Sequence, residues 1–465
     1  MPPIVATIIT LGVVAWLFRR DFRERPNVTP ALWLPFFWIT LSASRFVTEW
    51  LDIIGVHIGG TSVQDGSMFD AVTFFIMIVL GVMVLRRRQV NWSEFMQRNR
   101  WVTIYLLFCL VAISWSDYPF VAFKRWIKLF GQPVMVLVLL TEPDPMESFT
   151  RLMKRFGYVL LPLSILFIKY YPPLGRSFDD WSGLPMNTGI TTNKNVLGCD
   201  LFIYGMFLVW HFMRVRRWER GPVRKNELWL CAFYALMMLW LFHMANSSTS
   251  LGVLLLASAI MIFLGFNFVN PYRISTYLFV GLVVIVPLDL VFGLHELIIQ
   301  ALGRNTTLTG RTDIWDILLH WDLNPVLGAG FESFWLGDTV PRIAAMEPGL
   351  NINEAHNGYL ETYINLGLLG LAFTAAMIIA TYKKCCQAVV ENFNFGRFRL
   401  AYLAAFLVYN WTEAAFRTHC FPFYVFFLIA IDYPLNPVPE PGFVQDHEAD
   451  EALENTIPGG ATSKI

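Results

Sequence analysis

The chain has 465 residues, 55% hydrophobic, 16% aromatic and only 15% charged, against about 25% charged in an ordinary soluble domain. Its 35 Lys and Arg balance 35 Asp and Glu, so no net field draws it to nucleic acid. A soluble enzyme, a disordered chain and a DNA-binding module are excluded, because apolar surface gathered in such long blocks needs lipid as its solvent.

A bilayer core about 30 Å thick takes about 20 mostly apolar residues per helix, each backbone group bonded within its own segment. Blocks of this kind fall near residues 2 to 18, 31 to 47, 69 to 85, 101 to 116, 124 to 141, 155 to 171, 196 to 213, 227 to 244, 249 to 267, 275 to 293, 357 to 381, 400 to 416 and 420 to 433. The expected fold is therefore an all-α polytopic membrane protein with 12 to 13 transmembrane helices, the lower number if one weak end span is lost or merged. The first block reads as a retained span, not a cleaved signal peptide, since its basic cluster Arg19, Arg20, Arg23 and Arg25 follows the apolar stretch. With the N-terminus outside and strict alternation, the loops expected inside carry about twice as many Lys and Arg as those outside. Residues 1–293 then form a bundle of about ten spans, 294–355 one long outer loop, 356–436 the C-terminal spans and 437–465 a disordered inner tail. The six cysteines show no CxxC spacing and read as small core residues.

Several basic residues sit on the side that the positive-inside rule disfavours. Lys124, Arg125 and Lys128 follow Trp115-Ser116-Asp117-Tyr118-Pro119, Lys194 precedes another span, and Arg45 and Arg417 border two more. A cation placed there against the orientation bias is a candidate for holding an anionic ligand, with headgroup anchoring as the ordinary alternative. Asp179-Asp180, in the outer loop from Lys169 to Asn195, has no third ligand nearby and reads as a solvated turn, not a metal site.

The long outer loop is where chemistry is expected, since a connection of about sixty residues far exceeds the usual few. Thr309-Gly310-Arg311-Thr312-Asp313-Ile314-Trp315 opens a segment with Ile314, Trp315, Leu318 and Leu319 at helical spacing, the pattern of a short amphipathic helix on the membrane surface. Arg311 in its first turn would place a guanidinium beside free N–H groups, an arrangement suited to phosphate. Asn324-Pro325-Val326-Leu327-Gly328-Ala329-Gly330-Phe331 follows, a two-glycine turn that lets backbone approach something closely or simply turns. Glu354-Ala355-His356-Asn357-Gly358-Tyr359-Leu360-Glu361 stands where the chain re-enters the membrane. Among eight histidines, His356 is the one at a helix start with two carboxylates close in sequence. A neutral imidazole oriented by Glu354 or Glu361 is a suitable general base for a hydroxyl.

The order GRTDIW, NPVLGAGFESF and HNGYLETYINLGLLG across a late outer loop resembles the O-antigen ligase and polymerase superfamily. WSDYPFVAFKRW and TTNKNVLG look like its exopolysaccharide-polymerase-like branch, so the resemblance runs from about Trp115 to Leu371. It implies a GT-C-like helical fold in a bacterial inner membrane, with the active site facing the periplasm. It also implies transfer of a glycan from undecaprenyl diphosphate to an acceptor hydroxyl, with inversion and with neither cofactor nor metal. By position, Arg311 matches the arginine of the GR motif, for the diphosphate, and His356 the histidine of the HN motif, for the acceptor. Many members place an arginine beside Ser or Thr near the outer end of a middle span, whereas this chain reads Asn246-Ser247-Ser248-Thr249-Ser250. Lys124, Arg125, Lys128 or Lys194 would then supply the second diphosphate contact. The implied partners are the lipid-linked glycan and membrane lipid, with a chain-length regulator as a further candidate that the sequence leaves open.

Polymerisation of repeat units and ligation to lipid A core differ only in acceptor. A transporter is the reading from another class, disfavoured by the lack of a repeat between halves, by few ionisable residues deep in spans (Asp200, Asp289), and by polar motifs gathered in one outer loop.

Overall fold

The computed structural model describes residues 1–58, 67–178, 183–218, 220–292, 311–346, 352, 354–418 and 420–433. Asp179-Asp180, Thr309-Gly310, the side chain of Asp289 and the tail from 434 onward lie outside them.

Among the described residues the chain is helical apart from one short hairpin. The helices are α1 (Pro3–Arg23), α2 (Trp33–Ala43), α3 (Val47–Ile53), α4 (Met68–Arg87), α5 (Trp92–Arg98), α6 (Arg100–Val111), α7 (Pro119–Leu140), α8 (Pro145–Tyr170), α9 (Pro172–Gly175), α10 (Lys194–Trp218), α11 (Gly221–Ala245), α12 (Ser248–Phe263) and α13 (Ile274–Phe292). They continue as α14 (Arg311–Leu319), α15 (Thr339–Met346), α16 (Gly358–Glu391), α17 (Phe393–Thr412) and α18 (Phe421–Ala430). Each of the thirteen apolar blocks falls on a helix. Among the described residues five helices, α1, α4, α10, α11 and α16, are long and apolar enough to cross a bilayer, and shorter apolar helices include α12 and α18. Ile4, Ile8 and Trp16 of α1 are 71%, 65% and 58% exposed, a surface that only lipid solvates cheaply. The fold is that of an all-α polytopic membrane protein.

Local sequence sets several boundaries that hydropathy alone places elsewhere. Helix α8 begins at Pro145, well before its apolar stretch, because Asp144 caps the Glu147 N–H at 2.9 Å and Pro145 takes the first helical position. Helix α7 likewise starts on Pro119, so Lys124, Arg125 and Lys128 ride on its first turns. The strands, Arg176–Phe178 and Pro185–Asn187, pair antiparallel with Ser177 opposite Met186.

Part of the apolar face of the amphipathic segment meets protein, while Leu319 stays 59% exposed. Ile314 and Leu318 of α14 are buried in a cluster with Phe334, Ile343, Ala355, Leu360 and Ile364, so its apolar face packs on the start of α16. The helical period is as expected, but periodicity does not distinguish lipid from protein as the burying partner.

The two-glycine turn serves the break in α16. Gly367 has φ 64° and ψ −164° inside that helix, which frees backbone groups on both sides. The turn takes them: Ala329 and Gly330 donate N–H to the carbonyls of Ile364 and Asn365, both at 2.9 Å, while Leu368 and Leu369 donate to Pro325 and Val326 at 2.9 and 3.2 Å. An unpaired backbone at membrane depth is costly, and this exchange removes the cost. The approach is close enough that a Cβ on Gly367 would lie 2.2 Å from the Val326 oxygen.

Candidate functional site

The re-entry segment, the start of α14 and the connection between α17 and α18 meet in one ionic cluster. Helix α14 opens on Arg311, whose guanidinium turns to the end of α17, donating to the Thr412 carbonyl and, at 2.9 Å, to the Glu413 carboxylate. Glu413's other oxygen lies 3.5 Å from His356 Nδ1. The same Nδ1 is 3.0 Å from Glu354 Oε1, a close ion pair without the alignment of a hydrogen bond. Arg417 pairs with the second oxygen of Glu354. The sequence of charges is thus Arg311, Glu413, His356, Glu354, Arg417.

His356 is held in this row by strained backbone, with φ 48°, in a region that non-glycine residues rarely adopt outside constrained sites. Asn357 then caps α16, accepting from the Tyr359 and Leu360 N–H groups at 3.0 Å, which fixes the helix start immediately after the imidazole.

The electrostatics revise the expected state of the ring. Burial opposes a charged imidazole, but the Glu354 and Glu413 carboxylates outweigh it and raise its pKa to about 9. Burial likewise opposes a charged Glu354, and His356 and Arg417 beside it hold its pKa down to about 2. At neutral pH the imidazole is therefore protonated, not neutral as its sequence context suggested, because two carboxylates face it instead of one. Three cations against two carboxylates leave the cluster with one positive charge.

Of the two carboxylates considered in the sequence, Glu354 stands against the imidazole and Glu361 does not. Glu361 accepts from Trp335 Nε1 at 2.7 Å, the Ala355 N–H at 3.0 Å and Asn365 Nδ2 at 3.2 Å, which ties the loop to α16. Among the cations expected on the outer face, Arg125 donates to the Glu332 carbonyl, and the Glu332 carboxylate accepts from the Thr418 N–H at 2.7 Å, next to Arg417. Lys124 stands over the Phe120 ring at 5.1 Å, Lys128 over Phe46 and Phe74 at 5.2 and 5.4 Å, and Lys194 occupies the first position of α10. Arg45 donates to the Leu174 and Thr191 carbonyls. Ser247, in the segment where this chain departs from the resembled pattern by lacking an arginine, donates to Ser250 at 3.0 Å.

Glu413 was missed by sequence reasoning. It follows an apolar span without a motif, and only its place opposite Arg311 gives it meaning. Arg417 carried a signal, being a cation on the disfavoured side.

Glu354, His356 and Glu413 also bring three ligand atoms within 4.8 Å of one another. Arg311 and Arg417 already neutralise both carboxylates and the ring carries a proton, so a divalent ion would have to displace two guanidiniums and that proton. The donor set fits an anion approaching the cations better than a metal approaching the carboxylates.

Comparison with known proteins agrees with the motifs. Residues 233–375 match the O-antigen ligase family, a span that contains Arg311, Glu354, His356 and Glu361 and ends before Glu413 and Arg417. The chain is 24% identical over 297 residues to the exopolysaccharide production protein ExoQ of Rhizobium meliloti (strain 1021), covering 61% of this chain. The matched part spans 64% of that relative's length. Residues 233–375 are thus similar to the O-antigen ligase family, and the chain is similar to a protein of exopolysaccharide production.

Proposed function

We propose that the protein joins glycan units on the outer face of a bacterial inner membrane, polymerising undecaprenyl-diphosphate-linked repeats of an exopolysaccharide or O-antigen. The acceptor hydroxyl attacks the anomeric carbon, the bond from that carbon to the phosphate oxygen breaks, and undecaprenyl diphosphate leaves with the electron pair. The observation that carries this reading is the row Arg311, Glu413, His356, Glu354, Arg417, in which cations and a proton-exchanging group stand together. Arg311 and Arg417 would take the diphosphate, whose growing negative charge in the transition state preorganised guanidiniums stabilise. His356 would take the acceptor proton, held in orientation by Glu354. Lipid-linked glycan is the donor in this reading, and a chain-length regulator acts apart from this site.

The raised pKa of His356 favours a second assignment within the same reaction. A protonated imidazole serves as a third cation for the diphosphate, and a carboxylate, Glu413 or Glu354, takes the proton.

The test is transfer from purified undecaprenyl-diphosphate oligosaccharide by full-length protein in nanodiscs, with EDTA throughout. Wild type is expected to give a product ladder that His356→Ala and Arg311→Ala abolish while both variants stay folded. A single addition to supplied lipid A core would make the protein a ligase. Activity that survives both substitutions, or that needs a divalent ion, would place the site elsewhere; substrate flux independent of His356 would make it a transporter.

A further inference from the structure

A second polar feature lies at the other end of α16. From its break at Gly367 to Lys384 the helix rises about 25 Å at ~1.5 Å per residue, most of the hydrocarbon thickness of a bilayer. There a cavity of about 400 Å³ opens between α6, α16 and the end of α18.

Its two ends differ in chemistry. Arg98, Arg100, Lys383 and Lys384 line one part, and among the described residues no carboxylate lines any of it. Arg98 is paired, with Glu94 at 2.9 Å, and Lys384 donates to two neutral oxygens, Asn99 Oδ1 at 2.7 Å and the Ala430 carbonyl at 2.9 Å. Arg100 lies over the Trp101 ring at 5.8 Å, and among the described residues neither it nor Lys383 meets a carboxylate. The rest of the cavity is apolar, running along α16 past Ala380, Ile379 and Ala376, and Ile379 is 55% exposed. The cavity is therefore open along the lipid-facing side of α16 and cationic at the membrane surface.

We propose that this groove binds one anionic glycerophospholipid of the inner leaflet. Its phosphate sits among Arg100, Lys383 and Lys384, and an acyl chain lies along Ala376 and Ile379. Charge complementarity selects the occupant: Arg100, Lys383 and Lys384, with the Asp432 carboxylate acting on Lys384 alone among them, leave an excess of positive charge that matches an anionic headgroup, and the apolar continuation matches a tail that a soluble phosphate lacks. The site is on the face opposite the His356 cluster and touches none of its residues.

The experiment is native mass spectrometry of the full-length protein released from nanodiscs containing equal phosphatidylglycerol and phosphatidylcholine. Wild type is expected to retain phosphatidylglycerol preferentially, and the double variant Arg100→Gln with Lys383→Gln to lose about ten-fold of that preference or more. Phosphatidylglycerol with brominated tails is expected to quench Trp101, read as the difference between wild type and Trp101→Phe. Because both substituted cations face the surface, glycan transfer and melting temperature should hold in the double variant. Equal retention of the two lipids, an unchanged preference in the double variant, or displacement of the lipid by millimolar glycerol phosphate would each overturn the assignment, the last pointing to a soluble phosphate.

Discussion

Glu413 joins Arg311 to His356: one carboxylate oxygen accepts from the guanidinium at 2.9 Å and the other faces the imidazole at 3.5 Å. A guanidinium and an imidazole thus share one counter-ion, so a ligand that draws Arg311 away changes what the ring experiences. Glu413→Gln keeps the shape and removes that coupling. Transfer is expected to fall about a hundred-fold, and removal of one partner from a half-buried ionic row to cost about 2 kcal/mol of stability. Initial rates on lipid-linked oligosaccharide and thermal unfolding in detergent measure both, and an unchanged rate would remove Glu413 from the site.

The two assignments for His356 part company in their pH dependence. With a pKa raised to about 9, a ring that must accept a proton is competent only in its minor neutral form below that pH. Transfer efficiency would then climb about ten-fold per unit up to pH 9. An imidazolium acting as a cation gives the reverse, a plateau at neutral pH and a decline above 9. Initial-rate profiles from about pH 6 to 10 decide between them.

Stability follows the same two groups with opposite signs. The His356 contribution, from a pKa raised in the fold, is full below its ordinary value of 6.5 and disappears as pH rises through about 9. The Glu354 contribution, from a lowered pKa, is full above its ordinary 4.5 and disappears as pH falls through about 2. Melting temperature should therefore decline between pH 6.5 and about 9, and His356→Gln should flatten that slope. A slope of equal size in the variant would assign the pH dependence to other groups.

Arg311→Lys keeps the charge and loses the fork. The guanidinium reaches the Thr412 carbonyl and the Glu413 carboxylate together, which a single ammonium on a flexible stem does poorly. A loss of about ten-fold or more in transfer, short of that in Arg311→Ala, is the expected order. Equal rates for lysine and arginine would mean that charge alone suffices.

Gly367→Ala tests the broken helix. Its positive φ, and the Val326 oxygen only 2.2 Å from where a Cβ would stand, leave no room for a side chain, and the strain alone costs about 1–3 kcal/mol. Reduced yield and a lower melting temperature are expected, read by size-exclusion and thermal unfolding in detergent. Glu361→Gln should resemble it more than His356→Ala, with stability lost and turnover of the folded fraction kept, since Glu361 holds Trp335 and Ala355 instead of the imidazole.

Much was legible in the sequence because the bilayer makes hydropathy nearly decisive. Backbone groups in lipid have to be bonded within their own segment, so the apolar blocks read directly as helices, and Pro119 and Pro145 moved only their starts. Arg311 and His356 were legible for a different reason, as polar residues in ordered motifs within a loop too long for a connection, and Glu354 as the near neighbour of His356. What the sequence by itself determined was the class of fold, together with the short polar segments proposed to bear chemistry. The tertiary structure alone decided which partners those segments meet. Glu413 lies 102 residues from Arg311 in sequence, and no local pattern encodes a contact over such a separation. Helix α14 has the periodicity of a surface helix and packs Ile314 and Leu318 against protein, since an apolar stripe specifies that it be covered and not by what. The protonation of His356 was hidden for the same reason: a pKa is set by the charges around a group in space, and the second carboxylate arrives from the far end of α17.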